Sequence, residues 1–160
     1  MLRQIGFGLF VAGFAASAAA QQKPLGVFGL WGAFQGDGRC YAIAQPVQQG
    51  VRGTRPFASV GNWPGRGIRG QLHVRLSGEK RAESAVLLRI DGRSFQLVGR
   101  GWDAWAPDAR ADSELLAAMR TGIAMTVETR STSGRMIRDH YQLRGAASAI
   151  DAAALACLPR

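Results

Sequence analysis

Between residues 71 and 77 the chain alternates strictly: Leu72, Val74 and Leu76 fall on one side, and Gln71, His73, Arg75 and Ser77 on the other. A period of two marks a strand with one face in a core and the other in water. Val27–Phe34 reads as another strand, and Cys40–Ala44 as its hairpin partner across Gly36-Asp37-Gly38. Pro46 ends that second run, because proline brings no donor to a ladder. Ala85–Ile90 and Ser94–Val98 flank Asp91-Gly92, a dipeptide that accepts the positive φ angles of tight hairpin turns. Phe57–Gly61, Ile123–Thr129 and Met136–Leu143 are further predicted strands. Asn62–Gly67 and Ser131–Gly134 are turn chemistry, and residues 45–56, rich in Gln, Gly and Arg, read as a loop. Trp102 and Trp105 sit in a short run before Pro107.

Two stretches change period. Asp112 is placed to cap a helix, with Glu114 near its positive end, Leu115, Leu116 and Met119 as an apolar stripe, and Gly122 to close it. Gly145 breaks the preceding strand, and Ala146–Leu158 sets Ile150, Ala154, Cys157 and Leu158 at helical spacing. Short strands separated by turn signals, with these two helices, predict a mainly β fold. The expected form is an antiparallel β-sandwich or barrel-like domain with one inserted helix and one C-terminal helix. No internal repeat interrupts it.

The start of the chain does not fit that domain. Arg3 precedes an apolar, Gly- and Ala-rich run from Ile5 to Ala16, and Ser17-Ala18-Ala19-Ala20 supplies small residues for a peptidase. Residues 1–20 therefore read as a cleavable signal peptide, cut before Gln21, with residues 21–160 as one domain. A membrane anchor is the competing reading, but a span needs roughly 20 apolar residues and this run is shorter. No cysteine stands at the cut to take a lipid, and no transmembrane segment is expected after cleavage. Export implies a periplasmic or secreted location. In an oxidising compartment the only two cysteines, Cys40 and Cys157, are expected to form one disulfide; two buried free thiols are the alternative.

Composition adds one feature. Of 160 residues 20 are basic and 11 acidic, a net charge of +9, and Lys23 and Lys80 are the only lysines. A hydrophobic content of 47% speaks against disorder. An arginine-rich surface attracts anionic groups, and guanidinium grips carboxylate or phosphate with two prongs. GC-rich coding, which favours arginine throughout a proteome, is the competing explanation, and the charges are spread along the chain.

Three stretches also carry a likeness. The first is Phe28-Gly29-Leu30-Trp31-Gly32-Ala33-Phe34 with Cys40-Tyr41-Ala42 and Gln45-Pro46. The second runs from Leu88-Arg89-Ile90-Asp91-Gly92 through Ala104-Trp105 to Leu116-Ala117-Ala118-Met119-Arg120-Thr121-Gly122. The third is Ser133-Gly134, Asp139, Tyr141, Leu143, Gly145 and the Ala-rich helix with Cys157. In this order they resemble the invasion-associated locus B family of exported bacterial proteins, loosely so over residues 47–80. The resemblance implies a periplasmic or surface location and a non-catalytic role without a cofactor. A role in host invasion does not carry over from the family's name alone.

Candidate chemistry is sparse. His73 and His140 lie on polar strand faces beside Arg75 and Arg138, and they read as surface histidines. Asp139 shares the core-side face with Ile137, Tyr141 and Leu143, where a carboxylate needs a partner; a buried ion pair with an arginine is the first reading, a ligand-facing acid the second. Trp63, in a Pro/Gly turn with Arg66 and Arg69, is a candidate partner-binding patch, against a ring folded back onto the sheet. No metal-spaced cluster, Cys-x-x-Cys, serine elbow or phosphate loop occurs. The expected function is an exported, non-enzymatic envelope protein that binds a protein, anionic lipid or lipopolysaccharide through its arginines, and not nucleic acid. The alternatives are a periplasmic enzyme, such as a hydrolase, with its site near Asp139 and His140, or an envelope-stress structural factor.

Overall fold

The structure is a computed structural model and describes residues 22–48 and 53–158; the expected signal peptide lies outside the described residues. Ten strands and two helices follow one another: β1 (Lys23–Phe28), β2 (Trp31–Gly36), β3 (Arg39–Ala44), β4 (Phe57–Trp63), β5 (Ile68–Arg75), β6 (Val86–Ile90), β7 (Arg93–Arg100), β8 (Asp103–Trp105), α1 (Ala109–Thr121), β9 (Ala124–Arg130), β10 (Met136–Gln142) and α2 (Ala146–Ala156). All pairings are antiparallel, in the order β1-β2-β3-β4-β5-β8-β7-β6-β9-β10. β7 joins the two halves, since Arg93–Leu97 pairs with β6 and Val98–Arg100 with β8.

The sheet rolls without closing. Trp31 Nε1 in β2 donates to Gln142 O beyond it in β10 at 2.9 Å, and Val47 N donates to His140 O at 2.8 Å. The fold is thus mainly β and barrel-like, with one inserted and one terminal helix, as the patterning predicted. The alternating residues point as expected: Leu72, Val74 and Leu76 are fully buried. On β2, β3 and β4 the inward residues include Ala33, Ala42, Ala44 and Ala58. α2, whose buried face includes Ala146, Ala149 and Ala153, packs against these strands, and small residues on both sides let helix and sheet approach closely. That approach brings Cys157, just past α2, to Cys40 of β3, and the two form the expected disulfide with Cα atoms 5.8 Å apart.

Several elements differ from the sequence reading. Val27–Phe34 is two strands, because Gly29-Leu30 is a two-residue turn with Gly29 at φ 59° and Phe28 opposite Trp31. Glycine in the first central position is the mark of a type II′ hairpin turn. Asn62 and Trp63 belong to β4, and Asp103–Trp105 is a strand. In α2 the buried stripe is Ala146, Ala149, Ile150 and Ala153, while Leu158 is exposed.

The start of α1 is the most informative correction. Asp108, one turn before Asp112, is the cap, and its side chain accepts from Ala111 N at 2.8 Å. Asp112 is buried in the first turn and accepts from Leu72 N at 2.8 Å, fastening α1 to β5. Burial raises its pKa above the ordinary 3.8, against the Leu72 hydrogen bond, and Asp108 adds to the rise. D112A leaves a buried N–H without a partner, so it is expected to cost about 1–3 kcal/mol, against about 1 kcal/mol for D108A. Urea denaturation of both variants checks this. A smaller loss for D112A than for D108A would refute the fastening.

Candidate functional site

The outer face of β4, β5 and β8 carries a connected polar and aromatic grouping. Because β5 alternates, His73 and Arg75 point away from the core that Leu72 and Val74 fill. Register sets His73 opposite Trp105, and Arg75 opposite Asp103 on β8 and Phe57 on β4. Asp103 then lies between two nitrogenous side chains. His73 Nε2 is 2.8 Å from Asp103 Oδ1, and Arg75 Nη1 donates to Oδ2 at 3.2 Å and to Oδ1 at 3.4 Å. With Asp103 as a carboxylate, which only accepts, Nε2–H is the donor.

Aromatic rings hold this group in place. The His73 ring stacks on Trp105 with centroids 5.2 Å apart and planes 7° from parallel, and the Phe57 ring meets it edge-on at 5.1 Å. The Arg75 guanidinium lies 6.0 Å from the centre of the Trp102 ring. Half-exposed ion pairs like these contribute only about 0–1 kcal/mol each. Their effect is orientation: a flexible arginine becomes a fixed donor on a solvent-facing surface.

This grouping is not the one singled out from sequence. His73 lies on the outer face beside Arg75, as expected of a surface histidine, and there it joins a network through Asp103. The missed signal is Asp103-Ala104-Trp105, whose small central residue is fully buried and whose flanking residues share the outer face. Among the described residues no hydroxyl or thiol hydrogen-bonds the His73 ring; Ser59 Oγ instead donates to the His73 carbonyl at 3.5 Å. The arrangement can present a guanidinium and ring edges to an anion.

The sequence candidates are placed as follows. Trp63 ends β4 with its ring against Gly61, so close that a Cβ on Gly61 would collide with it. The ring is folded back on the sheet. Arg66, in the single 3-10 turn Pro64–Arg66, and Arg69, in β5, are exposed. Arg69 lines a small cavity of about 190 Å³ beside Cys157 and Leu158 that Trp63 does not reach. His140 and Asp139 are on opposite faces and are not brought together: His140 Nδ1 is 2.9 Å from Thr126 Oγ1, while Asp139 is buried.

Asp139 requires a correction. It faces the core as expected, but among the described residues no arginine pairs with it. Its Oδ2 accepts from Ser77 N at 2.9 Å, a backbone donor that periodicity does not reveal. Burial lifts its pKa above the ordinary 3.8, opposed by hydrogen bonds from Ser77 and by the nearby His140. Burial, and then the Asp139 charge, also push the Tyr141 hydroxyl up, and that hydroxyl has no hydrogen-bond partner among the described residues. A carboxyl whose pKa is raised on folding favours the native state in acid, and this contribution is lost as pH rises from about 4 through the folded value. D139N keeps an oxygen acceptor for Ser77 and removes the charge. It is therefore expected to gain stability relative to the parent at pH 7, with the gain fading toward pH 3. Denaturation curves across that range test it; a relative gain that grows toward acid would refute it.

Arginines elsewhere divide into two groups. Glu128 holds Arg138 at 2.7 Å and Arg89 at 3.3 Å, and these, led by the Arg138 hydrogen bond, keep its carboxyl below the usual range. Arg110 pairs with Glu114, and Arg120 with Asp151. Exposed Arg55, Arg66, Arg69, Arg81, Arg93, Arg100, Arg130, Arg135 and Arg144 have no acidic partner among the described residues. Arg100 is opposite Asp103 in register, so positive charge exceeds negative around that carboxylate. Among the described residues there is no cluster of metal-ligating side chains, and no helix is long and apolar enough to cross a membrane.

Comparison of the chain with models of protein families, with curated proteins and with solved structures found no match.

Proposed function

We propose that this is an exported, non-enzymatic protein of the cell envelope that binds an anionic envelope component through the arginine-bearing outer face of β5, β8 and β7. The observation that carries the reading is Arg75, held by Asp103 on a surface where Arg100 adds charge without an acidic partner of its own. A cation fixed by its neighbours loses less entropy on binding than a free one. The disulfide supports an oxidising compartment. The resemblance to invasion-associated locus B proteins points to the same place, the periplasm or cell surface, as does the leader-like start.

Co-sedimentation of the purified, disulfide-bonded protein with vesicles tests the reading. Vesicles containing anionic lipid or lipopolysaccharide are expected to bind it at low salt and release it as salt rises, because such attraction is screened. Purely zwitterionic vesicles are expected not to bind it. The variant R55A/R75A/R100A is expected to lose most of the association. Binding that ignores both salt and lipid charge, or no binding, would sink the proposal.

A further inference from the structure

Next to this network, between residues 53–55 and the β5–β8 edge, lies a cleft of about 370 Å³ lined by Gly53, Thr54, Arg55, Arg75, Leu76 and Trp102. Its walls are held by the fold. Leu76 N donates to Trp102 O at 2.8 Å, which fixes the segment that carries the indole. Arg75 lies over that indole, and Asp103 engages only its Nη1. Among the described residues, Nε and Nη2 of Arg75 make no hydrogen bond. Those two nitrogens form one edge of the guanidinium fork, the geometry that matches an oxyanion bidentately. Asp103 is itself held from the other side by His73, so the network aims the fork. Arg55, on the same lining, is exposed and has no acidic partner among the described residues.

We propose that the cleft binds an anionic sugar ring, a hexose bearing a carboxylate or a phosphate. The oxyanion meets Arg75 and Arg55, and the ring lies against Trp102. The chemistry of the walls selects this class. The lining carries two cations and no carboxylate, and Asp103 beside it compensates only Arg75, so the excess charge favours an anion. The half-buried indole of Trp102 gives an apolar wall suited to the C–H face of a ring, while Leu76, fully buried beneath the cleft, closes its floor. A bare inorganic anion would leave most of the volume unfilled, and an acyl chain would need apolar walls all round, which two arginines deny it. The inference deepens the envelope-binding reading and rests on it, by naming what is gripped. The ring can come from envelope polysaccharide or from a free sugar acid, and the experiment separates these sources.

Titration calorimetry of the disulfide-bonded protein with glucuronate, glucose 1-phosphate, glucose and inorganic phosphate is the test. At least one anionic sugar is expected to bind about tenfold or more tightly than both glucose and phosphate. R75K, R55A and W102F are each expected to weaken it about tenfold, while R66A leaves it unchanged. R55A alters an exposed side chain, so its loss is not a folding defect. Failure of both sugars to exceed phosphate, or unchanged affinity in R55A and R75K, overturns the proposal. If saturating sugar releases the protein from lipopolysaccharide, the natural ring is polymer-borne; if it binds without releasing it, the ring is a free acid. Absent sugar binding with salt-sensitive vesicle association intact defeats the cleft alone. Sugar binding without vesicle association defeats the broader reading alone.

Discussion

Replacing Cys40 and Cys157 together by alanine is expected to lower stability by about 3–5 kcal/mol, in line with loss of a native disulfide. The bond joins residues 117 positions apart in sequence, so it removes a large part of the freedom of the unfolded chain. It also acts locally. α2 begins at Gly145 without a side-chain cap and has no basic residue in its last turn. Its attachment therefore rests on the contact of its alanines and Ile150 with the sheet, on polar links from Gln35 and Arg120 at its surface, and on the cystine that follows it. Three consequences are expected. The melting temperature falls by roughly ten degrees. The urea m-value rises, because the denatured chain expands once the link is gone. Amide exchange in α2 quickens before that in β4 and β5. A loss below about 1 kcal/mol with an unchanged m-value would contradict this account.

How much was legible in sequence depended on how local each cause is. The alternation at 71–77 and the turns Asp37-Gly38 and Asp91-Gly92 are local, and the structure follows them: Asp37 and Asp91 both take the positive φ that such turns require. The split of Val27–Phe34 was hidden because the run is apolar almost throughout and its turn, Gly29-Leu30, has neither Asn nor Asp. Asp112 looked like a cap because nothing in α1 itself reveals that its partner is Leu72 N, 40 residues earlier. The same holds for the site. Asp103 meets His73 and Arg75 only through the register of β5 and β8, and β8, at three residues, is too short to show a period. The Trp63, Arg66 and Arg69 grouping was inferred from adjacency in sequence, whereas the structure turns the ring onto Gly61 and leaves the two cations in solvent.

The close approach of the first hairpin to the root of α2 yields the second large prediction. Gly145 has φ 90°, and a Cβ there would overlap the carbonyl oxygen of Phe28; a Cβ on Gly29 would likewise strike Arg144 O. Two glycines thus let two backbones meet where Trp31 Nε1 also reaches Gln142 O. G145A adds backbone strain of about 1–3 kcal/mol and a collision that a side-chain rotation cannot relieve, since the obstacle is main chain. Gly92 supplies the control: its φ is 84°, but a Cβ there meets nothing within 4 Å. G92A therefore measures the strain without the collision, with an expected cost of about 1 kcal/mol. G145A is expected to exceed it by at least about 2 kcal/mol in chemical denaturation, and to release α2 toward faster exchange. Because the hairpin and α2 separate together, G145A is also expected to make the Cys40–Cys157 bond easier to reduce, whereas G92A leaves reduction unchanged. Equal costs for the two variants would mean that the backbones do not touch, and that α2 is held to the sheet by its side chains and the cystine without this close approach.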